Sequence, residues 1–135
     1  MASRSVYSDP EIAETGMTET EAKKRFGKRY RVVRCAFTDN RRAQAIGQSY
    51  GTAKMICLPS GAIVGAGVVG PSAGETIALL SLAIAKRLKA IDLQSMTSAN
   101  PTLSEIVQQL GTEYGRDAIT PRWVRPIMAI KRVLP

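Results

Sequence analysis

The stretch from Gly51 to Lys89 most constrains what this chain can fold into. "TAKMICL" (52–58) alternates and is rich in β-formers. Pro59, Ser60 and Gly61 form a turn signal, and "AIVGAGVV" (62–69) resumes with a period of two. This pattern predicts a β-hairpin. Gly65 and Gly67 lie on one face of its second strand, which implies that another segment packs closely there. A helix is expected directly afterwards, from Ser72 to about Lys89. Ser72 and Glu75 have capping-box spacing, and Ile77, Leu80, Ile84 and Leu88 share a face. Leu79, Leu82 and Ala83 widen that apolar surface, so the helix should be covered on more than one side.

The rest of the chain supplies weaker elements around this unit. Residues 10–16 read as extended. Thr18 and Glu21 form a capping box that opens a helix ending near Gly27. "RYRVVRCAFT" (29–38) reads as a strand with interleaved arginines. Asp39 and Asn40 cap a short helix to about Ile46, stopped by Gly47. "AIDLQSM" (90–96) reads as a turn or short helix. Thr102 and Glu105 suggest a third capping box opening a helix to Leu110, beyond which Gly111 and Gly115 break the pattern. In the tail, Trp123, Ile127, Ile130 and Leu134 share a helical face that Pro126 interrupts, giving a C-terminal arm docked on the body.

Gly65, Gly67 and Gly70 also satisfy G-x-G-x-x-G, the spacing of a dinucleotide fingerprint. The surrounding residues argue against that chemistry. In a dinucleotide fold the helix begins within the glycines and turns its free N–H groups to the pyrophosphate. Here all three glycines precede the cap, and Glu75 would repel a phosphate. The acid expected on a second parallel strand has only Asp92 as a candidate, in a segment too short and polar for such a strand.

The chemistry available elsewhere is sparse. With no histidine, the chain lacks the commonest general base and metal ligand, so no metal site is expected. Cys35 and Cys57 lie in separate apolar runs and read as buried, reduced thiols of a cytoplasmic protein. No signal peptide or membrane-spanning run is visible. The net charge of +8 permits a basic module that binds nucleic acid or an anionic membrane. Cations cluster early, at 23–31, and late, at 116–132, the middle is close to balanced, and no RNA-binding aromatic signature accompanies them. Solvated basic faces are therefore the preferred reading, with neither nucleic acid nor membrane as partner.

Four stretches occur in order: "SDPEIAETGMTETEA", "FTDNRRAQAIGQSYGTAKM", "GAIVGAGVVGPSAGETI" and "NPTLSEIV". Together they resemble the C-terminal interface (dimerisation) domain of the flavin-dependent pyridine nucleotide–disulfide oxidoreductases. Dihydrolipoamide dehydrogenase, glutathione reductase and mercuric reductase belong to that family. The resemblance covers residues 7–110. It leaves residues 1–6 as a ragged start and 111–135 as a basic C-terminal arm. It implies an α+β fold, an antiparallel sheet flanked by helices, consistent with the hairpin, long helix and short capped helices.

The resemblance also implies a homodimer whose FAD and NAD(P)H domains lie outside this chain, which would bind no cofactor and be inactive alone. In the family the motif "HPT..E" supplies an acid/base histidine, and a glutamate orients it. The matching positions here are Asn100, Pro101, Thr102 and Glu105, so an amide replaces the histidine. An amide has no accessible pKa for proton transfer. Glu105 has a sufficient role in its capping box, and Pro101 resembles the family position preceded by a cis peptide, which leaves cis and trans open for the Asn100–Pro101 bond. Ile77, Leu80 and Ile84, with Asn100, Pro101 and Thr102, are the interface candidates; the sequence does not separate core from interface for the first three.

Overall fold

The computed structural model describes residues 3–119. Five strands form one antiparallel sheet in the order β1-β2-β5-β4-β3: β1 (Ser3–Val6), β2 (Ile12–Gly16), β3 (Arg31–Ala36), β4 (Thr52–Cys57) and β5 (Ile63–Val69). The helices are α1 (Glu19–Phe26), α2 (Arg41–Ala45), α3 (Ala73–Ala85) and α4 (Glu105–Ile119), with 3-10 turns at Phe37–Asp39 and Ala90–Ser95. The expected α+β class and its antiparallel sheet are observed.

Strand register explains which side of the sheet became the core. Val33, Met55, Ala66 and Thr15 are mutual partners in one row, as are Ala53, Val68 and Ala13 in another. These rows face α3, which packs on β5, β2 and β1, and α4, which packs on β3 and β4. The intervening row Arg4–Glu14–Gly67–Lys54–Arg34 points the other way. Glu19, at the start of α1, pairs with Arg34 (3.3 Å) and Lys54 (3.7 Å) on that opposite face. Ala22 of α1 and Ile56 of β4 are buried outside the main core cluster. The small residues of β5 serve this arrangement. A Cβ on Gly65 would collide with the Met17 carbonyl as the chain leaves β2 for α1.

The α1 capping box forms as expected. Glu21 N–H donates to Thr18 Oγ1 (3.1 Å), and Thr18 N–H donates to Glu21 Oε2 (3.0 Å). Four other expectations require correction. Residues 1–6 are not a ragged start throughout, because Ser3–Val6 pairs with β2 as an edge strand. Ser72 makes no side-chain cap: its backbone is left-handed (φ 53) and only its carbonyl accepts from Glu75 N–H (3.1 Å). The α3 helix ends at Ala85, not Lys89. Finally, Gly111 and Gly115 do not break a helix, and α4 runs through both. A Cβ on Gly111 would stand 2.5 Å from Gln94 N and 2.8 Å from the Leu93 carbonyl carbon. The glycines let the 90–95 turn press against α4. The boundary drawn at 110/111 therefore falls inside a helix. The tail positions Trp123, Pro126, Ile127, Ile130 and Leu134 lie outside the described residues.

Candidate functional site

The loop before α4 carries the Asn100–Glu105 motif, and local chemistry fixes its shape. The Asn100–Pro101 peptide is cis. Thr102 N–H donates to Glu105 Oε1 (3.0 Å), so the carboxylate is engaged by its own helix start. The reciprocal bond of a capping box is absent. The Thr102 hydroxyl pairs instead with the Ser104 hydroxyl (3.1 Å). Asn100 and Pro101 are exposed at the loop tip, while Thr102 and Glu105 are half-buried.

A residue read from sequence only as a helix cap anchors this loop. Asn40 is 1% exposed. Its Oδ1 accepts from Ala43 N–H (2.9 Å), capping α2. Its Nδ2 donates to the carbonyls of Thr102 (3.1 Å) and Leu103 (3.4 Å). One amide thus satisfies a helix N-terminus and a distant loop together.

Glu105 also lines a cleft of about 640 Å³ between β3 and α4, with Arg34, Cys35, Asp39, Gln109 and Glu113 among its walls. Cys35 is held in its protonated form there. Burial pushes its thiol up to about 11, and the carboxylates of Glu113 and Asp39 add to the shift. Burial pushes Cys57 up to about 12 despite nearby Arg31. Neither thiol is in a disulfide. Among the described residues no cluster of three or more His, Cys, Asp or Glu could hold a metal ion. No described helix is long and apolar enough to cross a membrane.

The glycine fingerprint does not fit a dinucleotide. Gly65 and Gly67 are paired inside β5, opposite Gly16 and Glu14, and no glycine turn opens a helix toward a ligand. The 65–70 glycines are therefore strand residues and not a phosphate-binding turn.

The interface candidates separate by position. Ile77 (3% exposed) and Leu80 (0%) face the sheet within the core, and Ile84 packs half-buried against it. Asn100, Pro101 and Thr102 stand apart from them on the loop. The outward side of α3 instead presents Leu79 (37% exposed) and Leu82 (58%), with Ala78 and Ala85 also exposed. Leu88 and Ile91 are exposed just beyond the helix. The sequence carried this signal in the apolar residues that exceed a single stripe.

Comparison with known proteins agrees with this architecture. The family described as "Pyridine nucleotide-disulphide oxidoreductase, dimerisation domain" matches residues 2–110. Leghemoglobin reductase of Glycine max is 35% identical over 105 residues, which cover 77% of this chain and 20% of that protein. Mitochondrial dihydrolipoyl dehydrogenase of Pisum sativum is 34% identical over 105 residues, covering 77% of this chain and 21% of that protein. This chain therefore spans about a fifth of the length of these relatives. The crystal structure of LpdA from Mycobacterium tuberculosis superposes with a TM-score of 0.76 at 23% identity, over 88% of this chain and 25% of that one. That likeness is one of fold.

Proposed function

Because this chain belongs to the pyridine nucleotide-disulphide oxidoreductase dimerisation-domain family, we propose that it is a homodimerisation module working through the outer face of α3. The carrying observation is the exposure of Leu79 and Leu82 on a helix whose opposite face is already buried. Glu75, Leu79, Leu82 and Lys86 follow one another at i, i+4, i+7 and i+11, so they form a single exposed stripe. The stripe is self-complementary. Two antiparallel copies related by a two-fold axis near Leu80 and Ser81 bring Leu79 of one against Leu82 of the other. The same operation sets Glu75 against Lys86 at both ends.

In this reading the redox chemistry lies outside residues 1–135, on domains that hold FAD and NAD(P)H. The 98–102 loop faces the flavin of the opposite subunit. Asn100 at the family's histidine position leaves this loop without a proton-relaying group, so the chain alone carries no turnover. The thiol state of Cys35 and Cys57 fits a reducing compartment, the cytoplasm, which belongs to the same proposal.

Light scattering on a size-exclusion column tests the reading. The unmodified chain is expected to elute as a dimer. Leu82→Glu is expected to give a folded monomer with an unchanged far-UV circular dichroism spectrum. A chain that stays monomeric at every loading concentration overturns the proposal.

A further inference from the structure

The cleft between β3 and α4 holds a buried acceptor that lacks a donor. Its α4 wall is one face of the helix, from Glu105 through Gln109 and Thr112 to Arg116. Its other wall contains the consecutive β3 residues Arg34, Cys35 and Ala36. Consecutive strand residues point to opposite faces, so the cleft runs along the open edge of the strand. β3 is the last strand of the sheet, and its outer backbone groups have no neighbouring strand among the described residues. Gln109 Nε2 donates to the Asp39 carbonyl (3.4 Å). Gln109 Oε1 is buried and has no hydrogen-bond partner among the described residues. A buried amide oxygen left unsatisfied is costly, so a donor is expected to reach it.

The charge inside the cleft is negative. Asp39, Glu105 and Glu113 line it against Arg34 and Arg116. Arg34 is drawn to Glu19 on the opposite face of the sheet (3.3 Å). Arg116 is exposed at the end of the cleft and pairs with Glu113 (3.3 Å). After burial, the Glu113 and Asp39 carboxylates are the next causes of the raised Cys35 thiol, and each acts on it more strongly than the opposing Arg116. The chain itself carries a segment of the matching kind, and that segment starts at the mouth of the cleft. Arg116 lies within one turn of Ile119, where α4 ends. Residues 120–135 carry Arg122, Arg125, Lys131 and Arg132, no acid, and Trp123, the only tryptophan of the chain. From Arg116 back to Glu105 is about 16 Å along α4. About five extended residues cover that length, so 123–128 suffice after a reversal at 120–122.

We propose that the β3–α4 cleft is the docking site of this chain's own C-terminal arm, with residues 120–128 folding back along α4 to cover Cys35 and to set Arg122 and Arg125 among the carboxylates. The arm brings backbone and guanidinium N–H donors to Gln109 Oε1 and to the open edge of β3. It also brings apolar side chains to cover the half-buried Cys35. A segment tethered at the mouth of the cleft has a high effective concentration there, which favours it over the arm of a second copy or a free cationic ligand. The proposal is independent of the outer face of α3, which lies on another side of the fold.

Iodoacetamide alkylation of the full chain, read by peptide mass spectrometry, tests the proposal. The reagent is uncharged and Cys57 is fully buried, so the rate at Cys35 reports how well the cleft is covered. Trp123→Ala and Arg122→Glu/Arg125→Glu are each expected to speed Cys35 alkylation about 10-fold. Exchanging arginines for glutamates beside a thiol raises its pKa and would by itself slow the reaction, so acceleration means exposure. Lys131→Glu/Arg132→Glu changes net charge equally but lies beyond the span needed, and is expected to leave the rate within about two-fold. In the unmodified chain the rate should not depend on protein concentration, because the arm is tethered. Acrylamide quenching gives a second readout, with Trp123 shielded in the unmodified chain and open in Arg122→Glu/Arg125→Glu. Equal Cys35 rates in the unmodified chain and both docking variants would overturn the proposal. So would equal acceleration by Lys131→Glu/Arg132→Glu, which would reduce the effect to net charge. A rate that rises on dilution would assign the cleft to the arm of a second copy, and a shielded Trp123 with an unprotected Cys35 would place the arm elsewhere; either overturns it. Circular dichroism of each variant separates an opened cleft from lost folding.

Discussion

Asn40 shows how much one buried amide can hold. Asn40→Ala removes the α2 cap and both donors to the 102–103 carbonyls, leaving buried groups unsatisfied. The expected cost is about 3 kcal/mol, read as a drop of roughly 10 °C in Tm by thermal melt. Asn40→Asp keeps the acceptor for Ala43 N–H but sets a carboxylate against two carbonyls. It should therefore also destabilise, and local hydrogen exchange should rise at residues 102–105. Half of this role was legible, since an asparagine before a short apolar pattern reads as a cap. The other half was not, because its partner stands 62 residues away. The cysteines yield a pH prediction. Both folded-state thiols are raised above the ordinary thiol value of about 9, to about 11 and about 12, so the folded protein holds these protons more tightly than the unfolded chain. Their contribution is fully present below pH 9 and is lost as pH rises toward 11 and 12. Denaturant melts should show stability falling across that alkaline window, and Cys57→Ala should flatten the fall.

Elements divide by whether their cause is local or tertiary. The β4–β5 hairpin and α1 were readable because the turn residues, the two-residue period and the Thr18–Glu21 cap all lie within the segments they shape. The edge strand β1 was not. Its residues "SRSV" have no apolar alternation, and it exists because β2 offers it a register. The continuity of α4 was hidden for the same reason. Gly111 and Gly115 look like breaks, yet they admit the 90–95 turn. Gly111→Ala would gain about 1 kcal/mol of helix propensity. It is nonetheless expected to destabilise, by a net of about 2 kcal/mol, because the new Cβ meets backbone atoms of Leu93 and Gln94. Gly115→Ala meets only the Ile91 Cδ1 at 3.0 Å among its nearest atoms, the movable end of a side chain, and should be close to neutral. Urea melts of the two variants separate helix breaking from close packing as the reason for glycine here. On α3 the contrast runs between faces. Leu80→Ala should cost about 2–5 kcal/mol of folding stability, whereas Leu82→Ala should cost little in the monomer, because Leu82 is already 58% exposed.

For the whole molecule, the question is whether the surface left open by the fold contributes to stability in a concentration-dependent way. One side of α3 is sealed against the sheet, and the other holds apolar area that water reaches in a single chain. If two chains close that face, folding and association are linked by mass action, so Tm must depend on protein concentration. Each tenfold rise in concentration adds about 1.4 kcal/mol of apparent stability to a dimer. Spread over the unfolding entropy of two chains of this size, that corresponds to a rise of about 2–3 °C in Tm per decade. Scanning calorimetry over two decades of concentration should show this rise for the unmodified chain and none for Leu82→Glu. FAD and NADH provide the complementary test, because the only glycine fingerprint among the described residues lies inside β5 and opens no helix toward a phosphate. Millimolar FAD or NADH should leave Tm unchanged, whereas ligand at about 100 times its Kd would add about 2.7 kcal/mol. A Tm that rises with protein concentration but not with FAD or NADH is the signature of a module stabilised by a second copy of itself. A Tm that rises with FAD but not with concentration would instead mean that this chain holds a flavin and makes no dimer through α3.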